Sequence, residues 1–162
     1  MKTMRLFPLE LRRLLQSRLT WLIMALTVLS PVLGLVLYKP ATSTTMLSMY
    51  LANPAITGGV AGAILFGLLA IFELDRARRS RVDILTDAVV SPLTTALTRL
   101  LALLTAAVLT AGITMLVWLP ISAGLIGSVF TGVNFLLAYL LLMGLALPLG
   151  ILAAAAAYQF TR

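Results

Sequence analysis

The chain has no cysteine and no histidine among its 162 residues. Without cysteine, disulfides, thiolate nucleophiles and thiolate metal sites are excluded. Without histidine, most transition-metal ligation and general-base chemistry goes as well. Acids are nearly as scarce, with five in all at Glu10, Glu73, Asp75, Asp83 and Asp87. Charged residues make up 10% of the chain against 61% hydrophobic, and the mean hydropathy is +1.09. The most informative absence is positional, because no acidic or basic residue lies between Arg99 and Arg162. That run is about three times the ~20 apolar residues a spanning helix needs. A water-soluble core does not account for it, and the chain reads as an all-α integral membrane protein.

The charge that is present is mostly basic, with a net +7. A nucleic-acid binder would need its basic residues on a solvated face with base-reading or stacking groups nearby. Here the arginines flank apolar runs, where they serve as anchors facing anionic lipid headgroups. Membrane lipids are therefore expected partners, and nucleic acid is not.

Residues 4–18 place Phe7, Leu11, Leu14 and Leu15 on one helical stripe, with Glu10, Arg12, Arg13 and Gln16 largely opposite. This pattern predicts an amphipathic interfacial helix, the alternative being an ordinary charged flank of the next span. Trp21 and Tyr38 bracket an uncharged stretch that predicts a first span over 20–38, with aromatics at both ends. Its length and the lack of a small-residue cleavage pattern after it argue against a removed signal peptide. Pro40, the Thr/Ser cluster at 42–45 and Asn53-Pro54 supply loop chemistry. A glycine-rich apolar run predicts a second span over 56–72, in which Gly58 and Gly62 form a small-xxx-small pattern for helix packing, within the chain or across a dimer. Residues 73–99 form the one long polar interval after the start. Third and fourth spans are expected over 100–120 and 134–158, separated by the polar break from Gly127 to Asn134. A three-span reading of 100–161 lacks a second such break. Pro148 is expected to kink the fourth span, and the Ala153–Ala157 run offers a smooth packing face. The whole chain thus reads as a single transmembrane domain, 1–162.

With four spans and a cytoplasmic N-terminus, Lys2, Arg5, Arg12, Arg13, Arg18, Arg76, Arg78, Arg79, Arg81, Arg99 and Arg162 all lie inside and only Lys39 lies outside. The positive-inside rule favours this orientation, with both termini cytoplasmic, over its inverse.

No Gly-x-x-x-x-Gly-Lys-Ser/Thr loop is present, so nucleotide-driven work needs a separate chain. The spans hold no carboxylate, lysine or arginine of the sort that proton-coupled carriers use to bind their coupling ion. They also hold no base to activate a serine or threonine, so the chain is not expected to be an enzyme. Chemistry then concentrates in the 73–99 loop. Within it Val82, Leu85, Val89 and Val90 stand at helical spacing beside Asp83, Thr86 and Asp87. Ser91-Pro92 ends that short helix, and a second helical stretch leads to Arg99. An amphipathic helix held between two spans can dock in a partner's groove, a solvated connector being the alternative.

Taken together, Leu9-Glu10-Leu11-Arg12-Arg13 before the first span and Glu73 followed by Arg76 to Arg81 after the second form a recognisable arrangement. The loop continues as Asp83-Ile84-Leu85-Thr86-Asp87, then Ser91-Pro92-Leu93-Thr94, and Arg99 opens the third span. This resembles the membrane-spanning permeases of type-2 ABC exporters over nearly the whole chain. The resemblance implies that 4–18 is an N-terminal interfacial elbow helix and that Asp83 to Val90, with Leu85, Thr86 and Asp87, is a coupling helix. Glu73, Arg76 and Arg79 would be polar contacts at its approach. Such permeases commonly carry six spans, so the resemblance is to their N-terminal four-helix portion or to a shortened relative. It implies an ATPase subunit dimer carrying ATP and Mg as partner, a second permease chain, and a place in the cell inner membrane, with no cofactor on this chain. A non-transporting scaffold, assembly or immunity subunit that recruits a cytoplasmic partner through the same loop is the competing expectation. Apolar walls with scattered Ser, Thr and Asn point to no particular substrate.

Overall fold

The computed structural model describes residues 2–37, 48–79 and 92–160, and every regular element among them is helical. In chain order these are α1 (Lys2–Leu15), α2 (Arg18–Leu29), α3 (Pro31–Leu37), a π-helical turn (Ser48–Ala52), α4 (Asn53–Arg79) and α5 (Pro92–Ile126). A 3₁₀ turn (Gly127–Val129), α6 (Gly132–Tyr139), a second π-helical turn (Leu140–Gly144) and α7 (Ala146–Phe160) complete the list. Four stretches are long and apolar enough to cross a bilayer: Arg18–Leu37, Met49–Arg76, Thr94–Val129 and Gly132–Phe160. The first and fourth are composite, α2 with α3 and α6 with α7.

The spans run past the limits that hydropathy sets. Helix α4 continues through the polar residues after Phe72 to Arg79, and α5 starts at Pro92, a residue suited to a first helical turn because its missing N–H has no intrahelical use there. At 35 residues, α5 is about 52 Å long at 1.5 Å per residue, well beyond a hydrocarbon core of ~30 Å. Both helices therefore project past the apolar layer at the end that carries the charges.

Two irregularities in the spans have a local cause at a proline. Pro148 offers no N–H to the Gly144 carbonyl, and the helix before it widens into the π turn Leu140–Gly144. The disturbance expected at Pro148 thus falls one turn earlier, and regular bonding resumes with Leu149 N–H donating to Leu145. Pro31 interrupts the first span as well, separating α2 from α3.

The exterior is apolar, with Leu116 76% and Leu37 71% exposed among many leucines, valines and isoleucines. A surface of that kind suits hydrocarbon and not water. Inside, Phe66, Leu69, Phe135, Tyr139, Met143, Leu147 and Ile151 are fully buried. Phe135 stacks on Tyr139 with ring centroids 4.5 Å apart.

The closest helix contact joins α4 to the fourth span. A Cβ at Gly59 would collide with the Leu142 carbonyl oxygen, and one at Gly150 with the Ala63 carbonyl oxygen. One at Gly67 would lie 3.2 Å from the Gly150 carbonyl oxygen. Gly59, Ala63 and Gly67 are four apart, as are Ala146, Gly150 and Ala154, so two small-residue rows face each other and the backbones touch. Cα–H groups and carbonyls come into the range of weak hydrogen bonds. Gly58 and Gly62 lie on neighbouring faces of α4: a Cβ on the first would sit 3.0 Å from Pro31 Cγ, and one on the second 2.6 Å from Leu147 Cδ1.

Gly59→Ala and Gly150→Ala are each expected to destabilise the bundle by ~1–3 kcal/mol through overpacking. Gly112→Ala and Gly124→Ala, where nothing lies within 4 Å, should be neutral or slightly stabilising. Unfolding in mixed micelles measures all four, and equal effects at the two pairs of sites would refute the close-contact assignment.

Candidate functional site

The charged residues that sequence scattered over ninety positions converge at one end of the bundle. Glu73 follows Phe72, the last apolar residue of its run, on a face of α4 that points inward, and it is only 6% exposed. A carboxylate so placed has lost most of its water and needs a cation. Arg13, on the last turn of α1, provides it: Nη2 donates a 2.7 Å hydrogen bond to Glu73 Oε2. The other oxygen, Oε1, lies 3.5 Å from Arg76 Nη1 one turn further along α4.

The chain of charges continues in the opposite direction. Arg13 Nη2 is also 3.1 Å from Glu10 Oε2 on its own helix. Glu10 Oε1 in turn lies 3.6 Å from Arg99 Nε, on the part of α5 that enters the membrane. The sequence Arg76, Glu73, Arg13, Glu10, Arg99 thus alternates in sign and links three helices. Glu10, Arg13, Glu73 and Arg99 line a small cleft floored by Leu14, Ala102 and Leu103.

The apolar side of α1 holds this arrangement in place. Leu14 is 3% exposed, and Phe7, Leu11 and Leu15 pack against the same core, while Leu9 faces outward at 63% exposure. The apolar stripe of α1 rests mainly on the protein, along the start of α5, where Ala102 allows close approach. The turn out of α1 is fixed as well. Ser17 adopts an extended conformation, and the Trp21 indole donates a 2.7 Å hydrogen bond to the Leu15 carbonyl, one of the orphan acceptors at the helix end. Arg12 and Arg13 in that last turn also complement the helix dipole.

These contacts are unequal in weight. The Arg76 side chain is 60% exposed, so its pair with Glu73 contributes little in water. The Arg13–Glu73 bond is charge-assisted and its acceptor is buried, so breaking it leaves an uncompensated carboxylate.

Deeper in the spans several threonine hydroxyls are satisfied locally. Thr27, Thr57, Thr105, Thr110 and Thr114 each donate to a carbonyl four residues back on their own helix, which satisfies the hydroxyl without a partner helix. Among the described residues no group of acids could hold a metal ion.

Of the residues singled out in the sequence, Glu73 and Arg76 are in the joint, and Arg79 is the last residue of α4. Asp83, Leu85, Thr86 and Asp87 lie outside the described residues. Glu10, Arg13 and Arg99 complete the site. Their signal was available in one respect: Glu10 and Glu73 are acids bordering apolar runs in a chain with only five, and such acids need partners. The pairing of Arg13 with Glu73 across 60 positions is a tertiary fact.

Arg13→Gln is expected to cost about 2 kcal/mol, because it strands Glu73. Arg76→Gln should cost under ~0.5 kcal/mol, and the exchange Arg13→Glu with Glu73→Arg should recover part of the loss. The readouts are unfolding in detergent and amide exchange across α1. Equal losses for the two single arginine variants would remove Arg13 from the centre of the joint.

Comparison with protein-family models, curated proteins and solved structures returned no match.

Proposed function

We propose that this chain is a permease component of an ATP-driven exporter and works through a nucleotide-binding subunit on a separate chain. The observation that supports it most is where the ion-paired joint sits. Helices α4 and α5 flank the 80–91 segment, and they are the two helices that Glu73 and Arg99 tie to α1. A push on that segment would reach three helices at once through the Arg76–Glu73–Arg13–Glu10–Arg99 chain and, through the Leu15–Trp21 bond, the first span.

In this reading α1 is the elbow helix and 83–90 is the coupling helix, both on the cytoplasmic side with the two termini, in the inner membrane. Asp83 and Asp87 contact basic groups of the ATPase, and Leu85 seats in its groove. Closure of the ATPase dimer on nucleotide moves the coupling helix as a lever and tilts the spans, so that a path between this chain and a second permease chain opens outward. The exterior of the bundle, apolar throughout the spans, fits both lipid and a second permease chain. The absence of a Walker-type loop and of charges in the apolar middle of the spans fits a subunit that is driven from outside.

Asp83→Arg with Asp87→Arg is expected to abolish co-purification of the ATPase in mild detergent and nucleotide-stimulated transport, with membrane insertion unchanged. Mass spectrometry of the chains that co-purify with the wild-type protein identifies the partner. Binding and transport that both survive the charge reversal would overturn the docking role of the segment. A partner that binds without any nucleotide site would replace the exporter with a scaffold.

A further inference from the structure

The break in the first span has a feature that its proline alone does not explain. Pro31 has no N–H to give to the Thr27 carbonyl, and Ser30 replaces it with both its backbone N–H, at 3.3 Å, and its hydroxyl, at 2.7 Å. The next carbonyl, that of Val28, accepts a 2.9 Å hydrogen bond from the indole Nε1 of Trp118, ninety positions away on the third span. Trp118 is 4% exposed, so its N–H has no water as an alternative. Bonds of this type re-satisfy backbone freed at a kink in a membrane helix.

The two sides of the break have different neighbours. Helix α2 packs against both α4 and α5. Helix α3 packs on α4 and on the Ser48–Ala52 turn, and makes no close approach to α5 among the described residues. The fit of α3 on α4 is tight: a Cβ at Gly34 would lie 2.6 Å from the Asn53 carbonyl oxygen, and Pro31 rests against Gly58. Span one is thus divided at Ser30–Pro31 into a half that packs on both spans two and three and a half that packs on span two without reaching span three. The Trp118 bond is placed at the division.

We infer that Ser30–Pro31 is a hinge and that Trp118 is its latch. With the bond made, α3 and the outer part of span two are held at a fixed angle to span three. With it broken, the last turn before the hinge is no longer pinned to span three, so α3 moves with the outer part of span two while the rest of α2 keeps its packing, and the bundle opens at the end away from the ion-paired joint. Hydrogen bonds between membrane helices are weak enough that losing this one shifts the ratio of the two forms by about three- to tenfold. The latch follows from helix contacts alone and stands apart from the exporter reading.

The chain has no cysteine, so spin labels can be placed on the full-length protein in lipid nanodiscs without background. One pair joins the two sides of the hinge to be tested, Val36→Cys on α3 with Leu125→Cys on α5. A control pair, Leu26→Cys on α2 with Leu125→Cys, stays on one side. Trp118→Phe keeps the ring and removes the donor, and Trp118→Tyr replaces it if the phenylalanine variant does not insert. The expected result is a second, longer distance for the Val36–Leu125 pair, with its population raised about three- to tenfold, and an unchanged Leu26–Leu125 distance. Pro31→Ala, which restores an N–H for Thr27, should narrow the Val36–Leu125 distribution in the wild type and suppress the effect of Trp118→Phe. An unchanged Val36–Leu125 distance in Trp118→Phe overturns the latch, equal broadening of both pairs shows general loosening instead, and no effect of Pro31→Ala overturns the hinge.

Discussion

Hydrocarbon cannot solvate a polar group, and that constraint explains most of what this chain does with its few polar atoms. The backbone meets it by being helical across all four spans. Thr27, Thr57, Thr105, Thr110 and Thr114 meet it by donating to their own helix one turn back. The two prolines that break spans one and four release carbonyls, and each break is repaired by different means: a widened π turn before Pro148, and Ser30 together with Trp118 at Pro31. Both tryptophans of the chain are used in this way, Trp21 on the Leu15 carbonyl and Trp118 on that of Val28. Each supplies a rigid donor where a helix has an acceptor to spare.

The same constraint gathers the charges. Glu73 continues a helix out of the membrane before the chain is fully in water, so it is held by Arg13 from α1. That pair draws α1 onto the ends of α4 and α5, and the alternating row of five side chains gives the charged end a rigidity that the apolar contacts alone would not. Among the described residues the opposite end of the bundle has no such row. Its geometry is set by the fit of α3 on α4, by the aromatic stack at Phe135 and Tyr139, and by the bond from Trp118.

Much of the architecture was legible in the sequence because a helix that crosses a bilayer must be apolar for its whole length. The four spans and the amphipathic pattern of α1 could be read directly. Their limits could not, since hydropathy ends at Phe72 and begins again at Leu100 while the helices continue through paired polar residues that composition assigns to a loop. The glycine pattern was read at Gly58 and Gly62, but the backbone-to-backbone seam runs through Gly59, Ala63 and Gly67. A one-residue shift along a helix turns the face by about 100°, and only the partner row at Ala146, Gly150 and Ala154 identifies which face is buried. In the charged joint, Glu73 and Arg76 stood out by position. Glu10, Arg13 and Arg99 gain their role from distances that no local pattern contains.

The seam between α4 and the fourth span has a consequence for assembly. Glycine rows gain their stability from close contact and offer little apolar area of their own, so α4 has its main partner missing until residues 142–154 have entered the membrane. During synthesis the second span waits for the fourth, with a narrow glycine strip turned toward lipid for the time that some eighty residues take to follow. The order of events is then a property of the chain: the charged joint can form as soon as α5 is in place, and the two halves of the bundle close on each other last.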